Sequence, residues 1–99
     1  MATPALNEAE IIERLSQLNQ WERDGSKIVK TFSFDSYLAG VAFASTVGVI
    51  AEGLDHHPDM SIGWRKVTVS FTTHDAGNAL SEKDFVAAKA IDAVGYPKS

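Results

Sequence analysis

The chain has 99 residues, of which 44% are apolar and 22% charged, and a formal charge of −4 with no cysteine. That composition suits one small globular domain whose core is barely large enough to stand alone. Nine Lys and Arg scattered among thirteen Asp and Glu argue against a nucleic-acid surface, and the lack of cysteine excludes disulfides, thiolate nucleophiles and Cys-based metal sites.

The opening residues Met1-Ala2-Thr3-Pro4-Ala5-Leu6-Asn7-Glu8 lack the basic and apolar segments of a secretory signal. No apolar run approaches the ~18 residues of a membrane span, so a cytoplasmic location is expected. Asn7 reads as a helix N-cap, with Glu10 at the capping-box position and Leu6 and Ile11 as a hydrophobic staple, ahead of Ile12, Leu15 and Leu18. Trp21 to Asp24 and Lys27 to Phe34 flank Gly25-Ser26. Ile28, Phe32 and Phe34 share one parity and Val29, Thr31 and Ser33 the other, which predicts a hairpin with one buried face.

Asp35 is the expected N-cap of a long helix reaching Leu54. On it Leu38, Val41, Ala42 and Val49 form one apolar stripe, and Phe43, Val47, Ile50 and Leu54 nearly the opposite one. One stripe can cover a sheet; the other is most readily buried against a second subunit, so a homo-oligomer is expected. Gly53 reads as the terminator, and Asp55 to Ser61, with Pro58, as a loop or strand entry. A second hairpin follows. Its return strand, Arg65 to Thr73, puts Val67, Val69 and Phe71 on one face and Lys66, Thr68, Ser70, Thr72 and His74 on the other. Ser81 opens the last helix with Asp84 at its third position and Leu80 and Phe85 as a staple. Ala88, Ile91 and Val94 continue its apolar side until Gly95 and Pro97 end it. The expectation is a single domain over 1–99 of the α+β class. A four-stranded antiparallel sheet would carry three helices packed on one face, in the order α-β-β-α-β-β-α.

Chemistry concentrates at the histidines. All three in the chain, His56, His57 and His74, fall in one short stretch, and imidazoles, with an ordinary pKa of about 6.5, are natural proton donors and acceptors near neutrality. Any one alone reads more readily as a surface or cap residue; their concentration in one stretch shifts the balance toward chemistry. Adjacent side chains on an extended segment point to opposite sides, so His56 and His57 do not readily bind one metal ion. Pro58 disfavours the helical conformation at His57 and stiffens the loop. Glu52 falls in the last turn of the long helix, where the macrodipole offers a carboxylate nothing; it is either solvated or held by a partner. The capping box accounts for Asp84 structurally. Trp64 reads as a core or cross-strand aromatic more readily than as a wall for a flat ligand.

The pattern Glu52, three residues, His56-His57-Pro58, five residues, Trp64, nine residues, His74, nine residues, Asp84 resembles the signature of the pterin-4a-carbinolamine dehydratases. Asp55-His56-His57-Pro58-Asp59, Val67-Thr68-Val69, Thr73-His74 and Leu80-Ser81-Glu82-Lys83-Asp84 extend the resemblance over roughly residues 20 to 95. It implies a four-stranded sheet with three helices on one side, association as dimers or tetramers, and dehydration of 4a-hydroxytetrahydropterin to quinonoid dihydropterin. That substrate is what an aromatic amino acid hydroxylase leaves behind, and no metal or redox cofactor is implied. Loss of the C4a hydroxyl needs an acid for the departing oxygen and a base for the proton on the neighbouring ring nitrogen.

Carried onto this chain, the resemblance makes His56 and His74 the acid/base groups, gives His57 substrate binding and proton handling, and has Glu52 and Asp84 orient the imidazoles. Pro58, Thr73 and Asp75 would line the pterin, with residues 56–58 and 73–76, ending at Ala76, as its two walls. One departure is Lys83, where many members carry arginine; it lacks the planar bidentate fork. Family relatives also include a dimerisation cofactor of a homeodomain transcription factor and bacterial forms with assembly or chaperone roles. Retention of all three histidines favours the enzyme over those non-catalytic roles.

Overall fold

The computed structural model describes residues 2–97. The elements are α1 (Glu8–Ser16), β1 (Glu22–Asp24), β2 (Lys27–Ser33), α2 (Tyr37–Leu54), β3 (Asp59–Gly63), β4 (Lys66–Phe71), a 3-10 helix (His74–Ala76) and α3 (Glu82–Asp92). The strands form one antiparallel sheet in the order β1-β2-β4-β3, so the expected α-β-β-α-β-β-α architecture is the observed one.

Strand parity decides which face is covered. Ile28 pairs with Phe71 and Phe32 with Val67, and these residues are buried together with Val69. On the opposite face Thr31 and Thr68 join hydroxyls at 3.0 Å. Ile11 of α1, Phe43, Ala44 and Val47 of α2, and Phe85, Ala87, Ala88 and Ile91 of α3 complete the core on the buried side. All three helices therefore lie on one face. Each fully buried side chain of the size of Phe71 or Ile91 contributes about 1.5–3 kcal/mol.

Both expected capping boxes are present. Asn7 and Glu10 exchange backbone and side-chain bonds at 2.9 and 3.0 Å, and Ser81 with Asp84 caps α3. The bounds of α2 differ from expectation. Its N-cap is Ser36 rather than Asp35, because the Ser36 hydroxyl accepts from the Ala39 N–H at 3.1 Å. The helix also runs through Gly53 and stops at Asp55, which adopts left-handed φ of 53°. Asp55 N–H then bonds the Glu52 carbonyl and His56 N–H the Ala51 carbonyl, at 3.2 and 3.1 Å. This double closure is the Schellman ending, which needs a left-handed residue followed by an N–H that folds back, and aspartate tolerates that region better than most residues.

Two other positions depart from expectation, and one, Lys30, carried none. β4 ends at Phe71, so His74 is not on a polar strand face; it opens the 3-10 helix, closed by the Gly77 N–H on the His74 carbonyl with Gly77 at φ 78°. Trp64 is not a core residue. It sits in the turn between β3 and β4, 72% exposed and stacked on Tyr37 at 6.4 Å and 15°. Lys30 occupies a buried position of β2, where its ammonium donates to Asp92 Oδ1 at 2.9 Å while Trp21 Nε1 donates to Asp92 Oδ2 at 3.0 Å.

The two stripes of α2 have different fates. Phe43 and Val47 are buried and Ile50 packs against the core, whereas Leu38 and Val49 remain 73% and 72% exposed. At 18 residues with mean hydropathy 1.5 the helix has the length and composition of a membrane crossing, which the amino-acid sequence was not expected to contain. Gly40, Phe43, Ala44, Val47 and Ala51 are its buried residues, and it packs on β4, β3 and α3.

Candidate active site

The turn at Asp55 sends the chain back over the end of the sheet and delivers the His56 ring onto Phe71, with centroids 5.7 Å apart and planes within 9°. His56 Nε2 lies 2.6 Å from Asp84 Oδ1; the histidine side chain is 12% exposed and the carboxylate fully buried. Burying a carboxylate costs several kcal/mol unless its oxygens are filled. Asp84 Oδ2 is filled by the Thr73 hydroxyl at 2.8 Å and the Ser81 N–H at 2.9 Å. Thr73 and Ser81 hydroxyls meet at 2.6 Å, and Ser81 Oγ accepts from the Lys83 N–H at 3.2 Å.

Counting donors gives the chain a direction. An ionised carboxylate only accepts, so the one Thr73 proton goes to Asp84. Ser81 must then donate to Thr73, and its oxygen receives Lys83 N–H. The same logic puts the His56 proton that faces Asp84 on Nε2. Nδ1 is left as the ring nitrogen that can exchange a proton with a ligand, a tautomer assigned from the network.

His57 leaves in another direction. Its Nε2 is 2.6 Å from Glu52 Oε1, and both side chains are largely exposed, so the pair contributes at most about 1 kcal/mol. It supplies the partner that Glu52 lacks at the negative end of α2. His74 donates from Nδ1 to Asn78 Oδ1 at 2.8 Å, leaving Nε2 free at the surface. Asp75 receives the Thr3 hydroxyl at 3.0 Å and has the Lys83 ammonium 3.7 Å away. The Thr3 bond chiefly holds its carboxyl below the ordinary range, against a smaller opposing effect of burial and with help from Lys83. Pro58 and Ala76 are half-buried.

The expected site residues thus divide. His56, Asp84 and Thr73 form one buried network, and His74 follows Thr73 directly. His57 and Glu52 form a separate exposed pair. Thr73, expected to line a ligand, is 2% exposed and turns its hydroxyl inward. Residues not anticipated in the site are Phe71 beneath the imidazole, Ser81 in the network, and Leu54, Glu82, Lys83 and Val86, which with Asp55 and His56 line a cavity of about 260 Å³. Of these, Ser81 carried a signal in its place in the capping box and Lys83 in its departure from the arginine of many family members. A larger cavity of about 650 Å³ lies at the far end of α3, beside Lys30, Asp92 and Tyr96, away from the histidines.

A family model described as pterin 4 alpha carbinolamine dehydratase matches residues 4–94. A Roseiflexus sp. RS-1 protein is 51% identical over 94 residues, covering 95% of this chain and 99% of its own. A Natronomonas pharaonis protein is 56% identical over 72 residues, covering 73% and 77%. Both bear the pterin-4-alpha-carbinolamine dehydratase name provisionally. Among solved structures, a transcriptional coactivator/pterin dehydratase from Brucella melitensis superposes with a TM-score of 0.84 at 29% identity, covering 91% of this chain and 97% of that one. A pterin dehydratase-like RuBisCO assembly factor of the alpha-carboxysome gives 0.65 at 26%, covering 79% and 92%. With a family match from residue 4 to residue 94 and near full-length relatives at half identity, the chain belongs to the pterin-4α-carbinolamine dehydratase family.

Proposed function

We propose that the protein dehydrates 4a-hydroxytetrahydropterin to quinonoid dihydropterin by histidine acid/base catalysis. The observation that carries this reading is the His56 imidazole, held on Phe71 with Nε2 committed to a buried carboxylate and Nδ1 left over. In the reaction the C4a–O bond breaks and the hydroxyl leaves as water with a proton from an acid, while a base takes the N5 proton and the C4a–N5 double bond forms. His56 and His74 supply acid and base, each worth about 10²–10⁴ in rate. His57 binds substrate and handles protons, Glu52 and Asp84 orient the two neighbouring imidazoles, and Pro58, Asp75 and Ala76 line the pterin. The physiological supplier of substrate in this reading is an aromatic amino acid hydroxylase, in the cytoplasm.

Generating the carbinolamine in situ with a hydroxylase and following quinonoid dihydropterin tests this directly. Wild type must outpace the spontaneous reaction, and His56→Ala and His74→Ala must slow it. A wild-type rate equal to the spontaneous one overturns the enzyme reading; unaffected variants overturn the site.

The names of the coactivator and the assembly factor raise association as a second role. The exposed Leu38, Ala42, Ser45 and Val49 stripe of α2 favours it. We assign that stripe to a second copy of this chain, in a dimer or tetramer, since it carries no charge that would select a different partner and the domain core is small. Sedimentation of wild type and Val49→Glu checks it; a monomeric wild type overturns it.

A further inference from the structure

We infer that Thr73 is a positioning residue, whose hydroxyl holds Asp84 so that His56 keeps its proton on Nε2 and offers Nδ1 to the ligand. The inference rests on the acid/base reading of His56 for its consequence in rate, while the tautomer itself is testable without any activity.

Three features single out the hydroxyl. A capping box at the start of α3 requires only Ser81 and Asp84; the bond from Thr73 Oγ1 to Asp84 Oδ2, at 2.8 Å and eleven positions away, adds nothing to the cap. Thr73 is 2% exposed and Asp84 0%, so this polar contact is made in the interior, where valine would fill the same space with no hydrogen bond to satisfy. The donors also run one way: Lys83 N–H to Ser81, Ser81 to Thr73, Thr73 to Asp84, with every proton pointing at the carboxylate that faces His56.

The consequence is geometric. Two donors on Oδ2 anchor that oxygen and leave Oδ1 aimed at His56 Nε2 at 2.6 Å. With the Thr73 hydroxyl gone, only the Ser81 N–H restrains Oδ2 and the carboxylate can turn about its terminal torsion, which is intrinsically soft. The imidazole then loses its reason to prefer Nε2–H.

The experiment is long-range 1H–15N correlation on the uniformly labelled protein, read beside carbinolamine turnover. Wild type is expected to show His56 as the Nε2–H tautomer. Thr73→Val is expected to give a mixture of tautomers, a kcat lower by about ten- to hundred-fold, and a KM within about twofold, the pattern of a lost orienting contact. Thr73→Ser, which keeps the hydroxyl, restores both. Thr73→Ala, which removes the hydroxyl without setting a methyl against the carboxylate, moves the spectrum in the same direction and covers the case in which Thr73→Val does not fold. A wild-type His56 protonated on Nδ1, or a wild-type tautomer ratio in Thr73→Val or in Thr73→Ala, overturns the inference. Absence of turnover with the tautomer pattern intact overturns the dehydratase reading alone.

Discussion

Asp84 meets His56 Nε2 at 2.6 Å across 28 positions of sequence, joining the first turn of α3 to the loop that follows α2. The same carboxylate receives the Ser81 N–H, so one side chain both caps a helix and orients an imidazole.

Asp84→Asn separates those two duties. The amide oxygen is drawn to the Oδ2 position, where two donors wait. Its nitrogen, a donor, then faces His56 Nε2 and selects the opposite tautomer. Turnover is expected to fall about 100- to 10,000-fold, the range for a misprotonated general base. The cap survives, and carbinolamine turnover beside a thermal melt checks both halves.

Lys30 and Asp92 form a mostly buried pair that also receives the Trp21 indole N–H. Asp92→Leu alone strands a buried ammonium and is expected to cost about 3 kcal/mol, whereas Lys30→Met with Asp92→Leu recovers most of that loss. Urea titration of the two singles and the double, as a mutant cycle, gives the coupling.

Gly40 lies inside α2, and a Cβ placed there would meet Phe34 and Val67 side-chain carbons at 3.5 Å, an ordinary contact. Gly40→Ala is therefore expected to stabilise the fold by about 1 kcal/mol, through helix propensity and a less flexible unfolded chain. A higher urea midpoint with unchanged slope is the measurement.

Two surface carboxyls sit below their ordinary values: Glu8, ordinarily 4.5, through hydrogen bonding and charge from Arg23, and Asp75, ordinarily 3.8, mainly through Thr3. A folded pKa below the unfolded one gives stabilisation that is complete above the unfolded value and vanishes as pH falls through the folded one. The Tm advantage of wild type over Glu8→Gln and over Asp75→Asn is thus expected to be constant above about pH 5 and to close on acidification. Melts from neutral to strongly acidic pH check the closure.

Much of the framework was legible because its signals are local. Alternation at Val67, Val69 and Phe71 needs only a period of two, and the Asn7–Glu10 and Ser81–Asp84 boxes span four residues each. The ends of α2 were less so. Asp35 and Ser36 are both competent caps, and only the backbone path picks Ser36. Gly53 carries the usual stop signal, yet the helix ends where His56 N–H can reach Ala51.

By itself the sequence determined which residues alternate and which cap, since these depend on neighbours a few positions away, and that all three imidazoles fall in one short stretch of a small α+β domain. Tertiary structure alone decided that His56 would face inward to Asp84 and His57 outward to Glu52, that the Thr73 hydroxyl would support the Asp84 carboxylate, and that Lys30 would find Asp92. Those pairings depend on which side chains the packed sheet and helices bring within 3 Å, and no local spacing encodes that distance.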